Sequence, residues 1–419
     1  MERLPLAYGA PYFVDREEAL AVVLEKARAL LRKEPVRNRT TTYYGPRGSG
    51  KSWLLRELHH RLQNAAEFQN QVTSLFIALG PATAGIPSGG LHIPADEKAE
   101  KQPLVAISEL LENAVAHLGL GTPPSTSLDR LGSLTVEGCR RQGRPVVVLV
   151  DGVDEMPPDF LRELENHFLA PLSLEPYVLI ALGGRIRDPR KYVWKMPELR
   201  LYADEVWLEP FAEEDTREQL ARLSSLGLSP KAAPEVQKEG NGYPLSNVVL
   251  ATHLEGDPPQ WKDKGAALRE CANLLLENVD SKLRDYFRAL CVLRSFDEMR
   301  MPPLLAVWSD TPAEHWDYQR CWRIREDMAA TRLVRWGGPQ GYIMDKAVQV
   351  VLENDLRENE PQRWQALHQA AYDLFTDWAN RYPTAKERWM PEAEYHQQFI
   401  RFPQSGAGRR RHGRSGNDR

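Results

Sequence analysis

Between Phe13 and Leu182 the apolar positions of this chain switch repeatedly between two periods. Leucine, valine and alanine recur at helical spacing over 15–32, and a β-branched and aromatic strand pattern follows at 40–44. A helix then starts at Trp53, and 74–79 reads as a buried strand. Residues 81–103 are rich in Gly, Pro, Ala and charge and lack periodicity, which predicts an exposed insertion loop, with a lid or partner contact as the alternative. Amphipathic helices are predicted over 104–118 and 128–141. The unbroken apolar runs 145–150 and 177–182 have the character of central parallel strands. Strands alternating with helices predict an α/β fold with a parallel sheet and helices on both faces.

Beyond Pro210 the strand signal mostly stops. Residues 211–226 and 232–254 read as a small helical unit, and 262–279 and 283–296 as longer helices. A hairpin is predicted where Leu333-Val334-Arg335-Trp336 and Tyr342-Ile343-Met344 flank the glycine-rich turn Gly337 to Gly341. Helices 347–356 and 364–382 follow. The expected organisation is a P-loop NTPase core (10–210), a helical lid (211–258), a winged-helix-like domain (259–358), C-terminal helices (359–402) and a disordered basic tail (403–419).

The chemistry enters at Gly45-Pro46-Arg47-Gly48-Ser49-Gly50-Lys51-Ser52, which fits the phosphate-binding loop pattern in the strand–loop–helix context that pattern requires. Glycines let backbone N–H groups face a polyphosphate, and a helix N-terminus adds partial positive charge. Lys51 is then placed for the β/γ-phosphates and the Ser52 hydroxyl for Mg²⁺. The second half of such a site is expected at Asp151-Gly152-Val153-Asp154-Glu155, after an apolar strand. Asp151 is the candidate metal ligand, and Glu155 the candidate base for the attacking water, with Asp154 able to share either role. Arg185, at the end of the following strand, is placed to reach the γ-phosphate or, as a surface residue, to pair with Asp188 or Glu198. No Asn-Lys-x-Asp motif is present, which favours ATP over GTP.

Composition narrows the setting without changing the assignment. The 419 residues are 42% hydrophobic and 27% charged, with a formal net charge of −4 that gives no global drive toward nucleic acid or membrane. Four scattered cysteines form no CxxC pair and suit reduced thiols in a cytoplasmic protein. The N-terminus lacks a signal-peptide profile, and no apolar run is long enough for a membrane span.

Together these residues resemble the signal-transduction ATPases with numerous domains, the STAND group that includes NACHT and NB-ARC proteins. Phe13-Val14-Asp15-Arg16-Glu17 is similar to the group's opening motif, with Asp15 where glycine is usual. Val150-Asp151-Gly152-Val153-Asp154-Glu155 resembles the NACHT acidic motif. Arg185 matches a phosphate-sensing arginine, preceded by Gly183-Gly184 where small hydroxyl residues are usual. Gly242-Tyr243-Pro244 matches the Gly-x-Pro element, and Tyr342-Ile343-Met344-Asp345 the nucleotide-sensing turn, with Asp345 where histidine is common. The resemblance implies ATP/ADP and Mg²⁺ as ligands, Arg16 and Pro244 near the nucleotide, and a winged helix that locks an ADP-bound state. It also implies a regulatory ATPase of slow turnover with a protein partner or self-association.

A DNA-associated AAA+ ATPase similar to origin-recognition initiators is the competing reading, with the winged helix on duplex DNA. The predicted wing, Gly337 to Gly341, has no Lys or Arg to meet phosphate. A metabolic kinase fits less well, since half the chain lies beyond the nucleotide core. Trp308, Trp316, Trp322 and Trp336 are expected in the core rather than on a base-stacking surface, and His59-His60 on a solvated helix face. Arg409 to Arg411 is expected to do nothing specific, with a nucleic-acid or acidic-partner contact as the alternative.

Overall fold

The computed structural model describes residues 9–45, 48–79, 90–93, 101–121, 126–153, 156–184, 194–277, 279–331 and 333–400. The chain divides into two compact units. The first comprises Met1–Val279, Glu326–Arg335 and Met344–Val351; the second comprises Asp280–Arg325, Trp336–Ile343 and Leu352–Arg419.

The first unit is built on six strands: β1 (Thr40–Tyr44), β2 (Thr73–Leu79), β3 (Leu91–Ile93), β4 (Val146–Asp151), β5 (Val178–Gly183) and β6 (Ala203–Trp207). They lie in the order β3-β2-β4-β5-β1-β6, and every pairing is parallel. Their side chains divide between two cores with period two, as a doubly covered sheet demands. Val146, Val148, Val150, Ile180 and Leu182 pack on one face with Leu110 and Leu111 of α3 (Pro103–His117) and Leu131 of α4 (Leu128–Arg141). Phe160 and Leu164 of α5 (Pro158–Leu164) join that core. Val147, Leu149, Leu179 and Ala181 pack on the other face with α1 (Glu17–Leu31) and α2 (Lys51–Asn64). Each such side chain, fully withdrawn from water, contributes roughly 1.5–3 kcal/mol.

Two strands escaped the sequence pattern. In β6, Asp204 and Glu205 break any apolar run because this is an edge strand, where exposed charge is tolerated. In β3, three residues inside the expected loop 81–103 add to the opposite edge beside β2. A strand that short carries no measurable period.

The first unit also holds α6 (Glu213–Arg222), α7 (Ala233–Gly240), α8 (Pro244–Thr252) and α9 (Lys264–Leu275), with a two-residue ladder of β7 (Leu254–Glu255) and β8 (Gln260–Trp261) between α8 and α9. The second unit is helical: α10 (Ser281–Leu290), α11 (Met301–Ser309), the first part of α12 (Tyr318–Ala330), most of α13 (Lys346–Asn359), α14 (Pro361–Arg381) and α15 (Lys386–Ile400). The predicted hairpin forms from β9 (Val334–Trp336) and β10 (Tyr342–Met344). Among the described residues no helix is long and apolar enough to cross a membrane.

The single-residue expectations fared unevenly. Trp316 is buried, but Trp322 and Trp336 are 44% and 64% exposed, so the core expectation fails for those two. His59 is buried, not solvated. Its Nδ1 lies 2.8 Å from Ser74 Oγ and its ring packs on Phe76, while His60, one residue on, faces outward. Adjacent helical residues point to different faces, and the pair straddles the boundary of the buried stripe of α2.

Candidate nucleotide-binding site

The loop after β1 turns on glycine. Gly48 and Gly50 have φ of +83° and +96°, in the left-handed region that glycine takes without strain. Space demands glycine as well, because a Cβ on Gly48 would lie 2.6 Å from Leu245 Cβ. Gly50 caps α2, and the first turn of a helix carries N–H groups that have no partner within the helix itself. Lys51 opens that helix, and its Nζ donates to Gly45 O at 2.7 Å. The Ser52 hydroxyl donates to Asp151 Oδ1 at 3.0 Å.

That last contact is not a consequence of neighbouring strands. Asp151 ends β4, and β5 lies between β4 and β1. The start of α2 must therefore reach across the end of β5. Gly183, at that end, leaves room: a Cβ there would stand 2.6 Å from Leu55 Cδ1 and 3.2 Å from Asp151 Oδ1.

These residues fit a magnesium–polyphosphate group. Among the described residues, Ser49 Oγ is buried with no hydrogen-bond partner, and so is Arg16 Nε. Unsatisfied buried polar atoms are costly unless a ligand meets them. Hydroxyl and carboxylate oxygens converging at Ser52 and Asp151 are the hard donors Mg²⁺ takes. The loop amides and Lys51 would hold the phosphates, and Ser52 and Asp151 the metal.

Residues on either side close over the loop. Asp15 and Arg16 both have positive φ, 54° and 73°, so Asp15 adopts the conformation glycine would take at that position. The Arg16 guanidinium lies 4.7 Å from the Phe211 ring centroid, and its Nη2 donates to Ser49 O at 3.2 Å. Burial pulls its pKa below the ordinary value, opposed chiefly by Asp15. Pro244 begins α8 and packs 3.8 Å from where a Gly50 Cβ would be, and Leu245 N donates to Gly48 O at 3.2 Å. The turn before it needs Gly242, where a Cβ would meet Phe211 O at 2.2 Å. Gln219 of α6 fixes the turn from behind, with Nε2 donating to Pro244 O at 3.1 Å.

The structure thus brings together Gly45, Gly48, Ser49, Gly50, Lys51, Ser52, Asp151, Arg16 and Pro244. Pro46, Arg47, Asp154, Glu155 and Arg185 lie outside the described residues. One contact had no signal in the sequence. The Tyr243 hydroxyl donates to Asp345 Oδ2 at 2.6 Å, 102 positions away. Asp345 Oδ1 accepts from Ala347 N and Val348 N at 3.1 and 3.2 Å, which caps α13. Burial raises the pKa of both side chains, and for the Asp345 carboxyl these three donors act in the opposite direction.

The glycine loop, the Ser52–Asp151 pair and the parallel sheet define a P-loop nucleotide-binding fold. Residues 37–181 match the family model described as an AAA domain. Similar solved structures include a Walker-type ATPase of Pyrococcus abyssi, with a TM-score of 0.52 at 15% identity over 83% of this chain and 97% of that one. The ORC2 protein of Aeropyrum pernix gives 0.44 at 12% identity, over 84% and 96%. A STAND protein with a tetratricopeptide repeat sensor from Pyrococcus horikoshii gives 0.30 at 15% identity, over 92% of this chain and 54% of that one. Of these three, the first shows a shared fold. No curated protein matches the sequence.

Proposed function

We propose that this protein is a regulatory switch of the STAND type that binds ATP with Mg²⁺, hydrolyses it slowly, and couples nucleotide state to domain packing or assembly. The observation that carries this reading is the cover on the phosphate loop: Leu245 N bonds Gly48 O while Pro244 packs at Gly50. An element that touches the loop directly has different contacts to make when the phosphates change. Such a switch needs ATP and ADP to favour different arrangements by a few kcal/mol. In this reading Glu155, with Asp154, orients and deprotonates the attacking water, and Arg185 senses the γ-phosphate. The hairpin and its flanking helices serve as a winged helix.

The test is the mass and protease-cleavage pattern of the purified protein with ADP and with a non-hydrolysable ATP analogue. A nucleotide-dependent difference is expected; identical mass and identical cleavage would overturn the switch.

A second reading, a DNA-associated ATPase, draws on one observation. The face of α12 exposes Tyr318, Gln319, Trp322 and Arg323, and β9 exposes Arg335 and Trp336. A titration against duplex DNA at rising salt separates the two, since phosphate contacts make affinity fall steeply with salt. Absence of binding at low salt removes this reading.

A further inference from the structure

We propose that Tyr243 and Asp345 are positioning residues for the nucleotide, and that their hydrogen bond holds the Gly242–Leu245 turn down on the phosphate loop. The inference rests on the reading of that loop as a nucleotide site and adds a residue pair that sets how long nucleotide stays. Besides the Gln219 bond to Pro244 O, four hydrogen bonds converge on this short turn. Gly242 O accepts from Phe211 N at 2.8 Å, Tyr243 O accepts from Asn247 N at 2.8 Å, and Leu245 N donates to Gly48 O at 3.2 Å. The fourth, Tyr243 Oη to Asp345 Oδ2 at 2.6 Å, is made by a side chain of the turn itself and reaches a distant part of the first unit.

Asp345 is itself held. Its backbone N–H donates to Leu333 O at 2.7 Å, and its second carboxylate oxygen caps α13. Capping alone would be met by serine. Filling the space around Tyr243, which is 1% exposed, would be met by phenylalanine. What neither replacement supplies is the hydroxyl-to-carboxylate bond, which is short and charge-assisted. Losing it frees the turn at the point where it presses on Gly48. Release of a bound nucleotide requires that movement. The effect therefore falls on the dissociation rate.

The experiment measures association and dissociation of a fluorescent ADP by stopped flow. Tyr243→Phe and Asp345→Ser are each expected to raise the dissociation rate about tenfold and leave association within about twofold. The double variant is expected to stay near tenfold rather than reach a hundredfold, because both changes remove one interaction. Asp345→Asn keeps the cap and can donate to the Tyr243 oxygen, so it should restore most of the parent rate. A merely structural role would lower the fraction of active protein and leave the dissociation rate of the remainder unchanged. If the parent binds and Tyr243→Phe dissociates at the parent rate, or the double variant is additive, the inference falls and the nucleotide reading stands. A parent that binds neither ADP nor ATP overturns both. Tyr243→Phe alone decides the matter if Asp345→Ser does not fold.

Discussion

Among the buried polar side-chain atoms that lack a hydrogen-bond partner within the described residues, two groups have different surroundings. At the phosphate loop, Ser49 Oγ and Arg16 Nε sit beside left-handed glycines, a lysine and the first turn of α2. In the second unit, His368 of α14 and His396 of α15 are fully buried with their Nδ1 atoms 2.8 Å apart, while their Nε2 atoms lack hydrogen-bond partners. There the neighbours are the rings of Trp364, Phe375, Tyr395 and Phe399. Glu353 Oε1 is 3.6 Å from His368 Nε2. One setting offers backbone donors and fixed positive charge to an incoming anion. The other is an aromatic box with little to offer a ligand, where burial lowers the His396 pKa. An unpartnered buried atom points to a ligand only where the groups around it can stabilise one.

That contrast can be broken at either end. The largest effect is expected from Lys51→Ala, which removes the compact cation of the loop. ATP affinity should fall at least a hundredfold in an equilibrium titration, and retained affinity would dissolve the contrast. Next, Glu155→Gln should leave nucleotide affinity near the parent value while hydrolysis falls about a hundredfold, measured as phosphate release. Hydrolysis at the parent rate would remove Glu155 as the base.

At the other end the signal is acid sensitivity. Burial, then His368, then Arg294 push the His396 pKa down to about 3 from an ordinary 6.5. A base depressed in the folded state takes up protons more readily when unfolded, so stability is full above pH 6.5 and is lost as pH falls toward 3. Urea unfolding followed by tryptophan fluorescence should show a loss of about 2 kcal/mol at pH 5 relative to pH 7, and His396→Leu should remove that slope. A pH-independent midpoint in the parent would refute the assignment. The smallest effect is expected from Gly183→Ala, where Leu55 must give way to the new Cβ. About 1 kcal/mol of stability should be lost, with a few-fold weaker Mg²⁺ dependence of ATP binding. Unchanged metal dependence would show that Ser52 and Asp151 do not need the clearance over β5.

How far each region could be read from sequence follows from the range of its interactions. The glycine loop was legible because strand, turn and helix start are contiguous, so Gly48, Gly50, Lys51 and Ser52 carry their geometry with them. Buried strands β2, β4 and β5 were legible because a parallel sheet covered on both faces leaves near-continuous apolar runs. The edge strands β3 and β6 were not, since one is three residues long and the other is interrupted by the charged Asp204 and Glu205. Trp322 and Trp336 misled because local apolar neighbours do not report which side of a helix or hairpin meets solvent.

By itself, the sequence determined that a polyphosphate-binding loop follows a strand, that an acidic strand end accompanies it, and that an α/β unit precedes a helical one. These are properties of short segments, fixed by backbone freedom and side-chain period. The tertiary structure decided the strand order, and with it the need for Gly183 where Ser52 crosses β5 to reach Asp151. It also decided that Tyr243 meets Asp345. Partners a hundred residues apart are chosen by packing, which no local pattern encodes.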